Sequence, residues 1–331
     1  MTRQALPKSV ALEVSAAEYT PGLVGLVEAV GAAMAHQGAA VDVAELVTIS
    51  SAAFSNYVFE PLFNQHEEEP RAFSELGEMF SNYGPWGAIS QYTGWQVREV
   101  SDLPPAELIK LAAFELSQGR PFVTLDEALA PTLVSGYEVG IATKRLTDVA
   151  GRTWDLEAET LQGESEVFSN WLLLVRPGER EEWMRSTARQ RVDVLRWAAE
   201  HGRNGKEFFQ ETRENYAPGL LGIARFRAFL EGLTDPEGVA FAERYVARLG
   251  RARDIAATVL PTWIDSVADE VETDAVRPDL EEAARQFRKS QLALASRDTL
   301  VDAFASVEVS EGEALKALER AAAHFPRPFE A

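Results

Sequence analysis

The 331-residue chain contains no cysteine, which excludes a disulfide framework, a thiolate metal site and a thiol nucleophile. Histidine is nearly as scarce. The four present, His36, His66, His201 and His324, leave few candidates for a general base near neutral pH. Lysine is outnumbered 6 to 26 by arginine. No run of eighteen apolar residues occurs, and the N-terminus lacks the basic, apolar and small-residue succession of a signal peptide. A soluble, cytoplasmic protein is the expectation.

Positive charge is also in short supply. Formal net charge is −20, and residues 1–178 hold 24 acidic against 10 basic side chains, while 179–331 hold 28 against 22. Such a field repels phosphate backbones and anionic membranes, so neither nucleic acid nor membrane is an expected partner. A cationic ligand or a basic partner suits it better.

What is present divides into two textures. Residues 119–178 carry the only consecutive β-pattern, with runs at Pro121–Leu125, Thr132–Val139 and Phe168–Val175 and shorter ones at Arg145–Val149 and Thr153–Leu156. Their Gly, Pro and charged boundaries suggest an antiparallel meander. Before it, helices are expected from Pro21, near the first turn, to just before Gly38, near Asp42 to Ile49, from Phe73 to Phe80, and from Ala106 to Gln118. Gly84-Pro85 and Gly94 read as turns.

After Gly178 the pattern is helical only. Its strongest stripe runs through Phe241, Tyr245, Leu249, Ala252, Ala256, Val259, Trp263 and Val267, with a kink expected at Pro261. Leu280–Ala305 repeats the pattern, and Ser310 with Glu313 reads as a capping box before the last helix. The expected fold class is α+β, with an α+β domain over 1–178 and an α-helical domain over 179–331. The apolar helices of 237–305 offer a surface for self-association.

Candidate functional residues fall into three groups. Thr20, Ser50, Ser51 and Ser135 are possible nucleophiles if a base lies within reach. Asp155, Glu157 and Glu159 alternate on a strand-like segment, so they share a face that suits acid–base work, or simply meets solvent. Trp86, Trp95, Tyr137 and Trp154 lie at turns and strand ends, where aromatics line pockets or pack in cores. The tract HEEEP at His66–Pro70 places consecutive residues on different faces and is not HExxH, so no metal is expected there. No cofactor is expected either.

The segments GLVGLVEAVGAAMAHQG and VDVAELVTISSAAFSNYVF, followed by GRPFVTLDEALAPTLVSGYEVG, resemble papain-like cysteine peptidases and acyltransferases. The likeness is to bacteriocin-leader-peptidase-like and butirosin-type domains, some of which carry a helical C-terminal domain. In that family a cysteine attacks a carbonyl, a histidine takes the proton and an Asp or Asn orients the imidazole. The resemblance implies a cysteine slot near Gly22 or Leu23, a histidine slot at Ala130 to Thr132, and an orienting residue at Asp155. Two of the three roles are empty.

The implied protein is a catalytically inactive papain-like pseudoenzyme. It would bind a peptide, small molecule or protein partner in the vestigial cleft, through Trp86, Tyr137, Trp154, Asp155 and Glu157. A hydrolase or acyltransferase using Ser or a carboxylate, and a structural helical module, are the alternatives.

Overall fold

The computed structural model describes residues 7–14, 25–54, 57–59, 85–100, 105–125, 131–139, 144–155, 172–180, 186–204, 216–234, 236–267, 273–296 and 299–325. The helix expected at Phe73–Phe80 lies outside them. The chain forms two compact units, each discontinuous in sequence: 1–43 with 93–181, and 44–92 with 182–331. A single division at 178 does not describe this, because residues 44–92 group with the C-terminal helices. The mixture of an antiparallel sheet with a helical C-terminal region makes the chain α+β.

The first unit is built on a seven-stranded antiparallel sheet. Its strands are β1 (Ser9–Ala11), β3 (Gln96–Val100), β4 (Phe122–Leu125), β5 (Pro131–Val139), β6 (Lys144–Asp148), β7 (Thr153–Asp155) and β8 (Leu172–Arg176). Strands β4 to β7 form the expected meander. Beyond it, β8 returns to pair with β4, and β3 adds outside β8, giving the order β3-β8-β4-β5-β6-β7. β1 pairs with the far end of β5, placing Val10 opposite Tyr137.

Alternation assigns the two faces of this sheet. Phe122, Val134, Tyr137, Leu146, Leu172 and Leu174 cluster with Leu108, Ala112, Ala113 and Leu116 of helix α4 (Pro105–Ser117). The intervening Val123, Leu133, Leu173 and Val175 are also buried. Helix α1 (Leu26–His36), which packs on β4, β5 and β8, brings its buried Leu26, Val27, Val30 and Met34 to this unit. Each such side chain contributes about 1.5–3 kcal/mol on burial, so the sheet is held from both faces.

A buried charge braces this unit's frame: Glu115, 1% exposed, takes Arg120 at 2.6 Å and Arg176 at 2.5 Å. Gly94 (φ 81°) and Gly178 meet just beyond the Gln96–Arg176 pair. A Cβ on Gly178 would lie 2.2 Å from the Gly94 carbonyl oxygen, so the two backbones touch only because both side chains are absent.

The second unit contains α2 (Val43–Ile49), α3 (Pro85–Thr93), α5 (Thr187–Asn204), α6 (Gly219–Glu231), α7 (Pro236–Ser266), α8 (Thr273–Ser296) and α9 (Leu300–Ala323). A two-stranded ribbon pairs β2 (Tyr57–Phe59) with β9 (Tyr216–Pro218). Where turns are expected at Gly84-Pro85 and Gly94, the structure has α3. Pro85 occupies its first turn and Gly94 follows its end in the left-handed conformation, so the two signals punctuate a helix.

Along the apolar stripe of α7, Tyr245 and Leu249 join Phe226, Leu294 and Phe304 in one cluster, Ala256, Val259 and Val267 are buried, and Trp263 is fully enclosed. Pro261 lies inside this single helix on its exposed side. The capping box expected at Ser310 is not formed. Ser310 lies inside α9, back-bonded to the Ser306 carbonyl at 2.9 Å and paired with Ser290 at 2.7 Å, while Thr299 caps the helix by accepting from the Asp302 N–H.

Two buried ion pairs anchor residues 45–53 to the helices of this unit. Glu45 accepts from Arg191 Nη2 at 2.8 Å and from Trp263 Nε1 at 2.9 Å. Arg253, 1% exposed, donates to Glu311 at 2.5 Å and to the Ala53 carbonyl at 2.7 Å. Removing one member of such a pair strands a buried charge. Arg253→Met is therefore expected to lose about 3–5 kcal/mol in urea denaturation. Adding Glu311→Leu should recover most of that loss, and no recovery would show that the arginine acts mainly by packing.

Candidate functional site

Of the residues that the papain-like resemblance brings together, the structure describes Thr132 and Asp155, and their register sets them apart. Leu23, Glu157, Thr20 and His66 lie outside the described residues. Asp155 sits on β7 in the register row Glu138–Arg145–Asp155. Thr132 lies six residues along β5 from Glu138, which at strand spacing is roughly 20 Å along and about 10 Å across from Asp155. Thr132 is fully buried, and its hydroxyl accepts from Arg152 Nη2 at 3.2 Å. Arg152 Nε binds the Asp148 carboxylate at 2.6 Å, so this corner ties a tight β6–β7 turn together.

The expected aromatic residues belong to both units. Trp154 falls in the row Tyr137–Leu146–Trp154. Tyr137 is a core residue, 4% exposed, whose hydroxyl donates to the Pro7 carbonyl oxygen at 2.5 Å and fastens the N-terminal strand. Ser135 is buried on the same strand. Trp86 belongs to α3 in the other unit, buried, with no hydrogen-bond partner at its Nε1. His36 lies in the last turn of α1, His201 near the end of α5, and His324 caps α9 with its Nε2 3.6 Å from Asp279. The first two placements match the favourable position of a cation at a helix C-terminus.

Of the sequence candidates, Ser50 and Ser51 do reach a cavity. It is a cleft of about 310 Å³ within the helical unit. The end of α2 supplies Ile49, Ser50 and Ser51, and α3 supplies Gly87, Ala88 and Gln91. Helix α5 supplies Gln190, Asp193, Val194 and Trp197, which recur three and four residues apart and so form one stripe. The small residues Gly87 and Ala88 leave the α3 wall low. A Cβ built on Gly87 would meet nothing within 4 Å.

The described lining of this cleft is polar. Among the described residues no Lys, Arg or His lines it, and its acid, Asp193, pairs with Arg189 at 3.5 Å one turn away. Ser50 Oγ donates to the Val47 carbonyl oxygen at 3.1 Å, leaving its lone pairs as acceptors. Gln190 is 6% exposed, yet neither its Oε1 nor its Nε2 has a hydrogen-bond partner. A buried polar group left unmade costs about 1–3 kcal/mol, so this amide is a standing expense to the fold.

Ser51 adds strain. Its φ of 70° is the one left-handed non-glycine backbone among the described residues, and such outliers gather at functional sites.

Sequence reasoning reached Ser50 and Ser51 but missed Gly87, Gln91, Gln190, Asp193 and Trp197. A glutamine on a buried stripe gives no signal until the neighbouring helices are placed.

Two measurements probe these assignments. Burial pushes the Tyr137 hydroxyl above the usual tyrosine value of about 10. With the folded pKa raised, its contribution is present below about pH 10 and lost as pH rises through the folded value. Urea midpoints taken between about pH 9 and 11 should fall more for the natural protein than for Tyr137→Phe. At the cleft, Ser51→Gly relieves the left-handed strain and should raise stability by up to about 1 kcal/mol. A loss would mean that the serine side chain anchors the turn.

Compared with known proteins, the chain matches no family model, and no curated protein matches it.

Proposed function

We propose that this chain is a ligand-binding protein whose site is the cleft between the end of α2, α3 and α5. The observation that carries the reading is Gln190: a buried side-chain amide in the cleft wall, with neither end hydrogen-bonded. A protein that tolerates this cost gains from it when a ligand supplies the missing partners, which is how polar groups in binding pockets give both affinity and selectivity. The strained Ser51 at the same cleft points the same way.

This reading keeps the expectation of a bound small molecule and moves the site. The papain-like slots Thr132 and Asp155 contribute nothing to it, because the register holds them apart. The cleft volume lies at the small end of the range for small-molecule sites, about 300–1,000 Å³, which favours a compact ligand over a folded partner.

Gly87 allows a direct test. Open space surrounds a side chain added there, and replacing a helical glycine generally favours the helix by a few tenths to about 1 kcal/mol. Gly87→Phe should therefore fill the cleft while leaving the protein folded. Screened by thermal shift against a general fragment library, the natural protein is expected to give saturable binders that Gly87→Phe no longer takes up. Binding that persists unchanged in Gly87→Phe would place the site elsewhere.

A further inference from the structure

We infer that the cleft selects a compact, planar molecule presenting an amide edge, a hydrogen-bond donor beside an acceptor as in a carboxamide, a lactam or a free nucleobase. This rests on the cleft being a binding site, and it names the chemistry the site recognises.

The argument begins with polarity. The Gln190 side chain carries an acceptor and a two-proton donor, and both are unpartnered. A hydroxyl, an ammonium or a carboxylate would satisfy one end and leave the other buried and unmade. An amide edge can meet both with two parallel hydrogen bonds. Gln91 brings a second amide into the cleft from α3, and the Ser50 oxygen offers lone pairs to a ligand donor.

Charge narrows the class further. Among the described residues the lining holds a carboxylate, Asp193, and no cation, within a chain of net charge −20. A carboxylic acid or a phosphate would lose its hydration and meet no counter-charge, so nucleotides and acids are rejected while the neutral base or amide is accepted. The indole of Trp197 supplies an apolar wall against which a flat ring can lie.

Ligand-observed NMR on the full chain, with benzamide and uracil as probes and benzoate and phenyl phosphate as matched anions, tests the inference. Benzamide and uracil are expected to bind at least about tenfold more tightly than the anions, a difference of about 1.4 kcal/mol. Binding should disappear in Gly87→Phe. Gln190→Leu should weaken the amide probes by a similar factor and raise the melting temperature, since it removes two unmade buried groups.

Gln190→Glu, which exchanges donors for acceptors, should turn the preference from benzamide towards benzamidine. Anions that bind as well as the amides and are lost in Gly87→Phe would overturn the ligand class and leave the cleft as a binding site. A melting temperature that falls in Gln190→Leu with amide binding retained would also overturn the class, by making Gln190 structural. If no probe shows binding that Gly87→Phe removes, the binding site falls with it.

Discussion

Arginine buried against glutamate is the constraint on which the helical unit depends. Arg253 is enclosed by Glu311 and the Ala53 carbonyl, and its guanidinium lies over the Phe287 ring at 5.6 Å. Arg191 bridges to Glu45 and lies over Trp263 at 5.5 Å. Charges this deep cannot be left single, so every helix that supplies a partner is fixed relative to residues 45–53 of the same unit. The cleft is a consequence of that fixing. Its floor is the turn that follows α2, held between Glu45 on one side and Ala53 on the other.

The elements of the sheet were legible because their residues obey period two between glycine and proline boundaries. Pro131–Val139 and Phe122–Leu125 are examples. Pairing order was less so: nothing in the run at Leu172–Arg176 says that it returns to β4 and not to β7. Helix α3 was concealed by its own caps, since Gly-Pro and Gly at nine-residue separation mark turns as readily as helix ends. Ser310 imitated a cap because the Ser-x-x-Glu spacing occurs inside helices too, where burial and the Ser290 partner decide the hydroxyl's role.

The candidate site was less readable than the fold for a related reason. Pockets are defined by what fails to fill space, and Gly87 and Ala88 are informative only once α5 is seen to stand across from them. Gln190 looks in sequence like one more polar residue on an amphipathic helix. Its meaning comes from burial without a partner, a property of several elements at once. A list of strands agrees with many registers, and this register separates Thr132 from Asp155, two residues that the papain-like resemblance brings together.

The polypeptide crosses between its two units three times, near residues 43, 92 and 181. Each unit is thus assembled from stretches made at different moments of synthesis. The Glu45 carboxylate leaves the ribosome well over a hundred residues ahead of Arg191, and more than two hundred ahead of Trp263. Ala53 and Arg253 wait for Glu311, so the helical unit cannot be finished from its N-terminal side before that part of α9 has been made.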